Sequence, residues 1–356
     1  MFVEINDSLV LALSHQDHAM TMTDERRTYV WIDMNELEVF HDTTQSPATN
    51  HLTVQRMKNA TLKIQDAIEM EGNRGKTLVL CQASEDPFLL QETALLLGAF
   101  AILVEEWDLD SVVDAFPDFT NRLMAAPGFD LDRAKYSITV LDCWQALIHA
   151  RHRSWMSWRT SPDDDDQPLL IDEVVHYAHP ANGGIHILAP GALLLFQSPV
   201  DLPDGALWAA AAARDGSPPA RRFAPAFYAD LLPDLGVRAI ASLDPCRCAA
   251  APAAFAAAGL AAVDLSPATG PRRRPSPLRA LDALLSLTRA AGGAVALHAG
   301  GDRAPGAWPE HTAAVVAAFL VGREGFAERA AYAWLLLLCP WLLLPPQPPL
   351  SAAGAD

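Results

Sequence analysis

The sequence predicts an α/β protein made of two related units, each a central sheet flanked by helices. Three observations lead there. A pattern occurs twice: Lys76-TLVL-Cys81, a polar loop, then ETALLLGAFAILV (92–104), and later Ala294-VAL-His298, a longer loop, then HTAAVVAAFLV (311–321). Each copy reads as a short β-prone strand feeding a helix with no polar face to offer water, so the helix must be buried. Length is the second observation: 356 residues suffice for two domains of roughly 150 residues each. The third is a break in charge. Residues 1–200 carry 13 basic and 30 acidic side chains, whereas residues 201–356 carry 13 of each.

Composition narrows the classes. With 51% hydrophobic and 19% charged residues, the chain is not a disordered acidic tail, a coiled coil or a collagen-like polymer. A formal charge of −17 excludes a general nucleic-acid binder, which needs a basic footprint for phosphate backbones. The five cysteines, Cys81, Cys143, Cys246, Cys248 and Cys339, are odd in number and widely spread, which fits a reducing compartment rather than a disulfide scaffold.

Taken in chain order, residues 1–150 form the first unit. Its opening stretch places Glu4 and Asp7 where a secretory signal wants basic residues, so an intracellular protein of the nucleus or cytoplasm is expected. Residues 151–175 read as an acidic linker, since Ser154 to Pro168, with the run Asp163 to Asp166, lacks apolar periodicity. Residues 176–345 form the second unit. Within it, Ala330 to Leu344 is apolar but interrupted by Pro340, too short for the ~20 residues a membrane helix needs; a buried helix is expected, and no membrane partner. Residues 346–356 are a tail. The acid excess of the first unit suits a basic peptide, because a cleft of one sign concentrates ligands of the other.

The order and spacing of several segments then resemble the mitotic-exit dual-specificity protein phosphatases, the cell-division-cycle-fourteen family. In the first unit the match rests on YVWIDMNELEVFHD (29–42), ETALLLGAFAILV and SITVLDCWQAL (137–147). It continues with IDEVVHYAHPANGGIHILAPGALLLFQSP (171–199), LGVRAIASLD (235–244), AAAGLAAVDL (256–265), GAVALHAG (293–300) and AWLLLLCPWLLLPPQ (333–347). The resemblance implies two tandem dual-specificity-phosphatase-like α/β domains packed side by side, the first without catalytic residues, with substrate in the groove between them. It also implies hydrolysis of phosphoserine and phosphotyrosine through an H-C-x-x-G-x-x-R-[ST] loop. There a thiolate attacks phosphorus, backbone N–H groups and an arginine hold the phosphate oxygens, and an aspartate protonates the leaving group.

This chain departs from that pattern at each chemical position. His298 is kept, but Ala299 stands where the cysteine belongs, and a methyl group cannot form a phosphoenzyme. The loop is longer than the pattern. Aligned on the helix, Thr312 matches the Ser/Thr and His311 falls on the arginine; aligned on the strand, Pro305 falls there, with Arg303 nearby and able to reach an anion. The acid position carries Thr269, whose hydroxyl is far too weak an acid. A further arginine of the family falls on Leu336, whereas Pro340, Pro346 and Gln347 match.

The expectation is therefore a catalytically inactive pseudophosphatase that binds a protein partner, a basic or phosphorylated peptide, with Arg303, His311, Asp172 and Glu173 as candidate contacts. No cofactor and no metal are expected. The alternative is an active protein serine/tyrosine phosphatase of cell-cycle control, in which a wrong splice boundary has replaced the segment between His298 and Thr312. Cys81 lies at the analogous loop of the first unit, but Glu85 and Asp86 would raise its thiol pKa and Pro87 stands where an arginine would be needed. Cys246 and Cys248 are a lone C-x-C without a second pair. His176, His179 and His186 read as scaffold, and Cys143 as core.

Overall fold

The computed structural model describes residues 2–7, 9–12, 29–33, 53–70, 73–81, 87–120, 138–155, 171–211, 220–243, 248–265, 277–299 and 310–339. The protein is mixed α/β, with its sheets flanked by helices. In the first unit, β1 (Phe2–Asn6) and β2 (Leu9–Ala12) form an antiparallel hairpin. β2 then pairs in parallel with β4 (Thr77–Cys81), which pairs in parallel with β3 (Tyr29–Asp33). The sheet order is β1-β2-β4-β3.

The second unit repeats this order. β5 (His186–Ala189) and β6 (Leu193–Gln197) are the antiparallel hairpin. β6 is parallel to β11 (Ala294–Ala299), β11 to β9 (Val237–Ser242), and β9 to one extra edge strand, β10 (Ala261–Asp264). The order is β10-β9-β11-β6-β5. Hairpin, central strand and flanking strand thus correspond pairwise, and β4 and β11 are each paired in parallel on both sides. A separate short hairpin joins β7 (Trp208–Ala210) to β8 (Arg221–Phe223).

The helices follow from local sequence. α1 (Val54–Glu69) is capped by Thr53, whose side chain accepts the Arg56 N–H. It buries Val54, Met57, Ala60, Ile64 and Ala67 as one stripe. α2 (Pro87–Leu103) is buried on all sides from Gln91 to Ile102. It begins five residues before the apolar run, because proline with its fixed φ suits the first helical turn. α3 is Leu109–Ala115. α4 (Val140–His152) opens on a capping box in which Thr139 and Asp142 satisfy each other's backbone N–H. In the second unit come α5 (Ile171–Ala178), α6 (Pro225–Asp234), α7 (Ala251–Ala257), α8 (Pro277–Ala291) and α9 (Glu310–Phe319). α9 widens into a π turn over Leu320–Glu324 before the left-handed Gly325, and α10 (Glu328–Leu338) is the buried helix expected near the end.

Apolar side chains alternate across the second sheet. Leu193, Leu195, Ala239, Ala241, Val295 and Leu297 face one core, and Leu194, Phe196, Ile240 and Ala296 face another that contains Tyr228 and Phe255. The first of these cores continues without a break into the first unit, through Trp144, Phe100, Leu78 and Leu80. The continuity comes from α4, which lies against α2 on one side and α10 on the other. Gly98 on α2 permits that approach: a Cβ there would run into the Trp144 indole, which is fully buried.

Polar contacts tie the seam. The Arg329 guanidinium on α10 donates to both oxygens of Asp142 at 2.7–3.1 Å. Burial pushes the Asp142 carboxyl up, but the hydrogen bonds from Arg329 and Thr139 outweigh it and hold it below its ordinary range. The Glu324 carbonyl, at the end of the π turn, meets His149 Nε2 at 2.8 Å and accepts from Arg153 Nη2 at 2.6 Å. Trp155 stacks on Phe326 at 5.5 Å and packs near Trp334, whose indole N–H donates to Leu188 on β5 at 2.9 Å.

Candidate functional site

Open parallel sheets present ligands to the carboxyl ends of their strands, where loops and helix starts converge. The two central strands end there on Cys81 and Ala299. These residues correspond in the repeated topology, and each strand leads to a buried helix, α2 or α9. The helices share a sequence pattern, Glu92-Thr93-Ala94 in α2 and His311-Thr312-Ala313 in α9, and both threonines are fully buried. The Thr93 hydroxyl donates to the Leu89 carbonyl at 2.8 Å, whereas that of Thr312 has no hydrogen-bond partner among the described residues.

At the end of β11, His298 is 3% exposed and its Nδ1 lies 3.2 Å from the Ser198 hydroxyl. Its ring sits 5.3 Å from that of Phe196, its register neighbour on β6. The His298 carbonyl accepts from Leu243 N–H, and the Ser242 carbonyl from Leu265 N–H. These bonds fix the edge formed by β6, β11, β9 and β10. Ala299, paired in register with Gln197, is the last residue of the strand. The Gln197 amide in turn packs where a side chain on Gly184, at φ +58°, would have to sit.

The structure brings together only part of the expected set. His298, Ala299 and Thr312 belong to one strand–helix unit, and His311 is in the first turn of α9. Arg303 and Thr269 lie outside the described residues. Asp172 and Glu173 are on α5, which packs on α1 and β5, and Glu173 is exposed. Leu336 is buried in α10. Asp264 is exposed on the edge strand β10. The densest described acidic stretch, Glu105, Glu106, Asp108, Asp110, Asp114 and Asp118, follows the far end of α2. It therefore lies at the opposite edge of the first sheet from the loop after β4.

The remaining candidates are held by the fold. Cys143 is fully buried, and burial pushes its thiol well above the usual range. Cys248 donates to the Asp201 carboxylate at 2.9 Å, while Cys246 lies outside the described residues. His186 Nδ1 is 3.0 Å from the Leu338 carbonyl, and burial lowers its pKa to about 4. His179 Nδ1 accepts from Ala181 N–H at 3.1 Å, and His176 approaches the Asn182 amide. Among the described residues, no group of three His, Cys, Asp or Glu is placed to hold a metal ion, and no helix is long and apolar enough to cross a membrane.

The Ser198–His298 contact escaped the sequence reading because nothing in the spacing links positions 100 residues apart. The signal that could have suggested it is local: Gln197-Ser198-Pro199 ends an apolar strand, and His298 nearly ends another. No protein-family model matches this chain, and no curated protein matches it.

Proposed function

We propose that the chain is a catalytically inactive, phosphatase-like module of tandem α/β domains that binds a protein partner through a phosphorylated or basic peptide. The observation that carries this reading is Ala299. It ends the central strand where the resembled family places its nucleophile, and a methyl group has no lone pair to attack phosphorus. The shared strand order of the two sheets favours a tandem origin. His298 and Thr312 supply the strand end and helix start of an anion-holding unit without supplying the chemistry.

The test uses the purified full chain and a fluorescent phosphoserine-proline peptide carrying a following arginine, beside its unphosphorylated form. Saturable binding of either peptide with no release of phosphate is the expected result. Phosphate release that follows the chain through successive purification steps refutes inactivity. Absence of saturable binding to both peptides refutes the binding role.

A further inference from the structure

The short hairpin of β7 and β8 stands outside both main sheets, and its edges differ. Its register pairs Trp208 with Phe223, Ala209 with Arg222 and Ala210 with Arg221. The Ala224 N–H donates to the Leu207 carbonyl and the Ala211 N–H to the Ala220 carbonyl, both at 2.9 Å. Bonded and non-bonded pairs alternate along an antiparallel ladder. Ala209 and Arg222 therefore bond each other, while Trp208, Ala210, Arg221 and Phe223 direct their N–H and C=O groups outward. On the β8 side the outward groups are engaged: the Arg221 N–H donates to the Pro180 carbonyl at 3.2 Å, and the Phe223 carbonyl accepts from the Val200 N–H at 3.0 Å. On the β7 side the outward groups of Trp208 and Ala210 bond to no described residue.

The open edge is also uncovered. Leu207 is 50% and Trp208 48% exposed, although both are large and apolar. β7 carries no charge, proline or bulge, the devices that keep a strand edge from pairing. Side chains alternate between the two faces of the hairpin. One face presents Trp208 with the Arg221 guanidinium 4.0 Å from its ring centre, held there by a 3.1 Å bond to the Ala181 carbonyl. The other presents Leu207 and Arg222, whose guanidinium makes no hydrogen bond or ion pair with a described residue. Neither strand holds an acid.

We propose that the free edge of β7 is a docking site for an extended, acidic segment of a partner protein, which joins the hairpin as a third strand. The backbone groups of Trp208 and Ala210 pair with the incoming strand, the mode by which exposed edges take peptides. Alternate side chains of that strand fall on opposite faces, so apolar ones cover Trp208 and Leu207 and carboxylates answer Arg221 and Arg222. Charge selects among the occupants. A second copy sets arginines against arginines and a basic segment is repelled, whereas an acidic one meets a complement on both faces. This surface is separate from the end of β11, and the assignment does not depend on the function proposed above.

Topology places the hairpin by the carboxyl ends of the second sheet. β6 ends at Gln197, and Val200, a few residues on, is bonded to Phe223. Pro180 and Ala181, which hold Arg221, lead into β5, whose first residue His186 pairs with Leu195 near the end of β6. A segment laid along β7 is therefore beside the rim on which Ser198 meets His298.

The experiment titrates the full chain into three fluorescein-labelled peptides, read by anisotropy. One alternates glutamate and valine, the second alternates lysine and valine, and the third is the glutamate peptide N-methylated throughout its backbone. The glutamate peptide is expected to saturate, the lysine peptide to bind about tenfold more weakly or worse, and the N-methylated peptide not to bind. Ala210→Pro removes an outward N–H and spares the ladder to β8, since proline is tolerated where a strand's N–H faces solvent. It is expected to weaken the glutamate peptide by about tenfold with unchanged circular dichroism, and Arg222→Gln to reduce the preference for glutamate. Should Ala210→Pro unfold the chain, the N-methylated peptide on the unaltered protein decides. Equal binding of the glutamate and lysine peptides overturns the acidic partner, and binding that survives N-methylation overturns strand addition. No saturable binding overturns the site. A concentration-dependent dimer in sedimentation that Ala210→Pro abolishes gives the edge to a second copy and overturns the partner segment.

Discussion

Replacing Asp142 by alanine tests the seam where the two units meet. The carboxylate has two structural tasks. It accepts the Thr139 N–H at 2.7 Å, closing the capping box of α4, and it receives the Arg329 guanidinium from α10. Loss of a helix cap costs ~1 kcal/mol. Hydrogen bonds to a charged group are worth about 1.5–3 kcal/mol, but the Arg329 side chain is 51% exposed. Water therefore replaces much of what Asp142 gave it, and the pair itself is left with ~1 kcal/mol. Asp142→Ala should thus destabilise by about 2 kcal/mol and Arg329→Ala by about 1 kcal/mol.

The pairwise share is isolated by a double-mutant cycle in urea unfolding, with the double variant expected to be ~1 kcal/mol more stable than the sum of the singles predicts. The pH dependence follows from the depressed carboxyl. The stabilisation is fully present above the unfolded carboxylate value of about 3.9, and it is lost as pH falls through the lower folded value. Additivity within about 0.3 kcal/mol at neutral pH would refute the claim that these two residues act on one another across the seam.

Two further outcomes rest on the first unit. Arg56 on α1 and Glu92 on α2 pair at 2.6 Å with both side chains nearly buried, and burial raises the Glu92 carboxyl against the pull of Arg56. Arg56→Ala should cost about 3–5 kcal/mol in urea unfolding, while joint replacement by Met and Leu should recover most of it; equal stability of the single and double variants contradicts a buried pair. Gly98→Ala should cost about 1–3 kcal/mol by overpacking, and combining it with Trp144→Phe should be non-additive, because the indole is what the new methyl meets.

Several parts of this arrangement are legible in the chain itself. The two strand–loop–helix copies announce β4 with α2 and β11 with α9, because an apolar run without a polar face has only the interior to occupy. The apolar stretch from Ala330 marks α10. The boundaries are less legible: Pro87 extends α2 toward the amino end, and the π turn after Phe319 leaves no periodic trace. The site is half legible. The strand ending near His298 and the helix that holds Thr312 follow from the repeat, Ala299 and Thr312 stand out only through the resemblance, and the partner of His298 follows from neither.

By itself the sequence determined which segments are buried, how the charge divides, and that alanine rather than a nucleophile ends the second central strand. These are properties of residues and their near neighbours, and local chemistry suffices to read them. Only tertiary structure decided that both sheets share one strand order, that Asp142 reaches Arg329, that His298 meets Ser198, and that the acid-rich 105–118 stretch faces away from the strand ends. Each of those depends on close packing between elements far apart in the chain, where a glycine against an indole or the end of a turn sets the geometry, and no pattern along the chain encodes such distances.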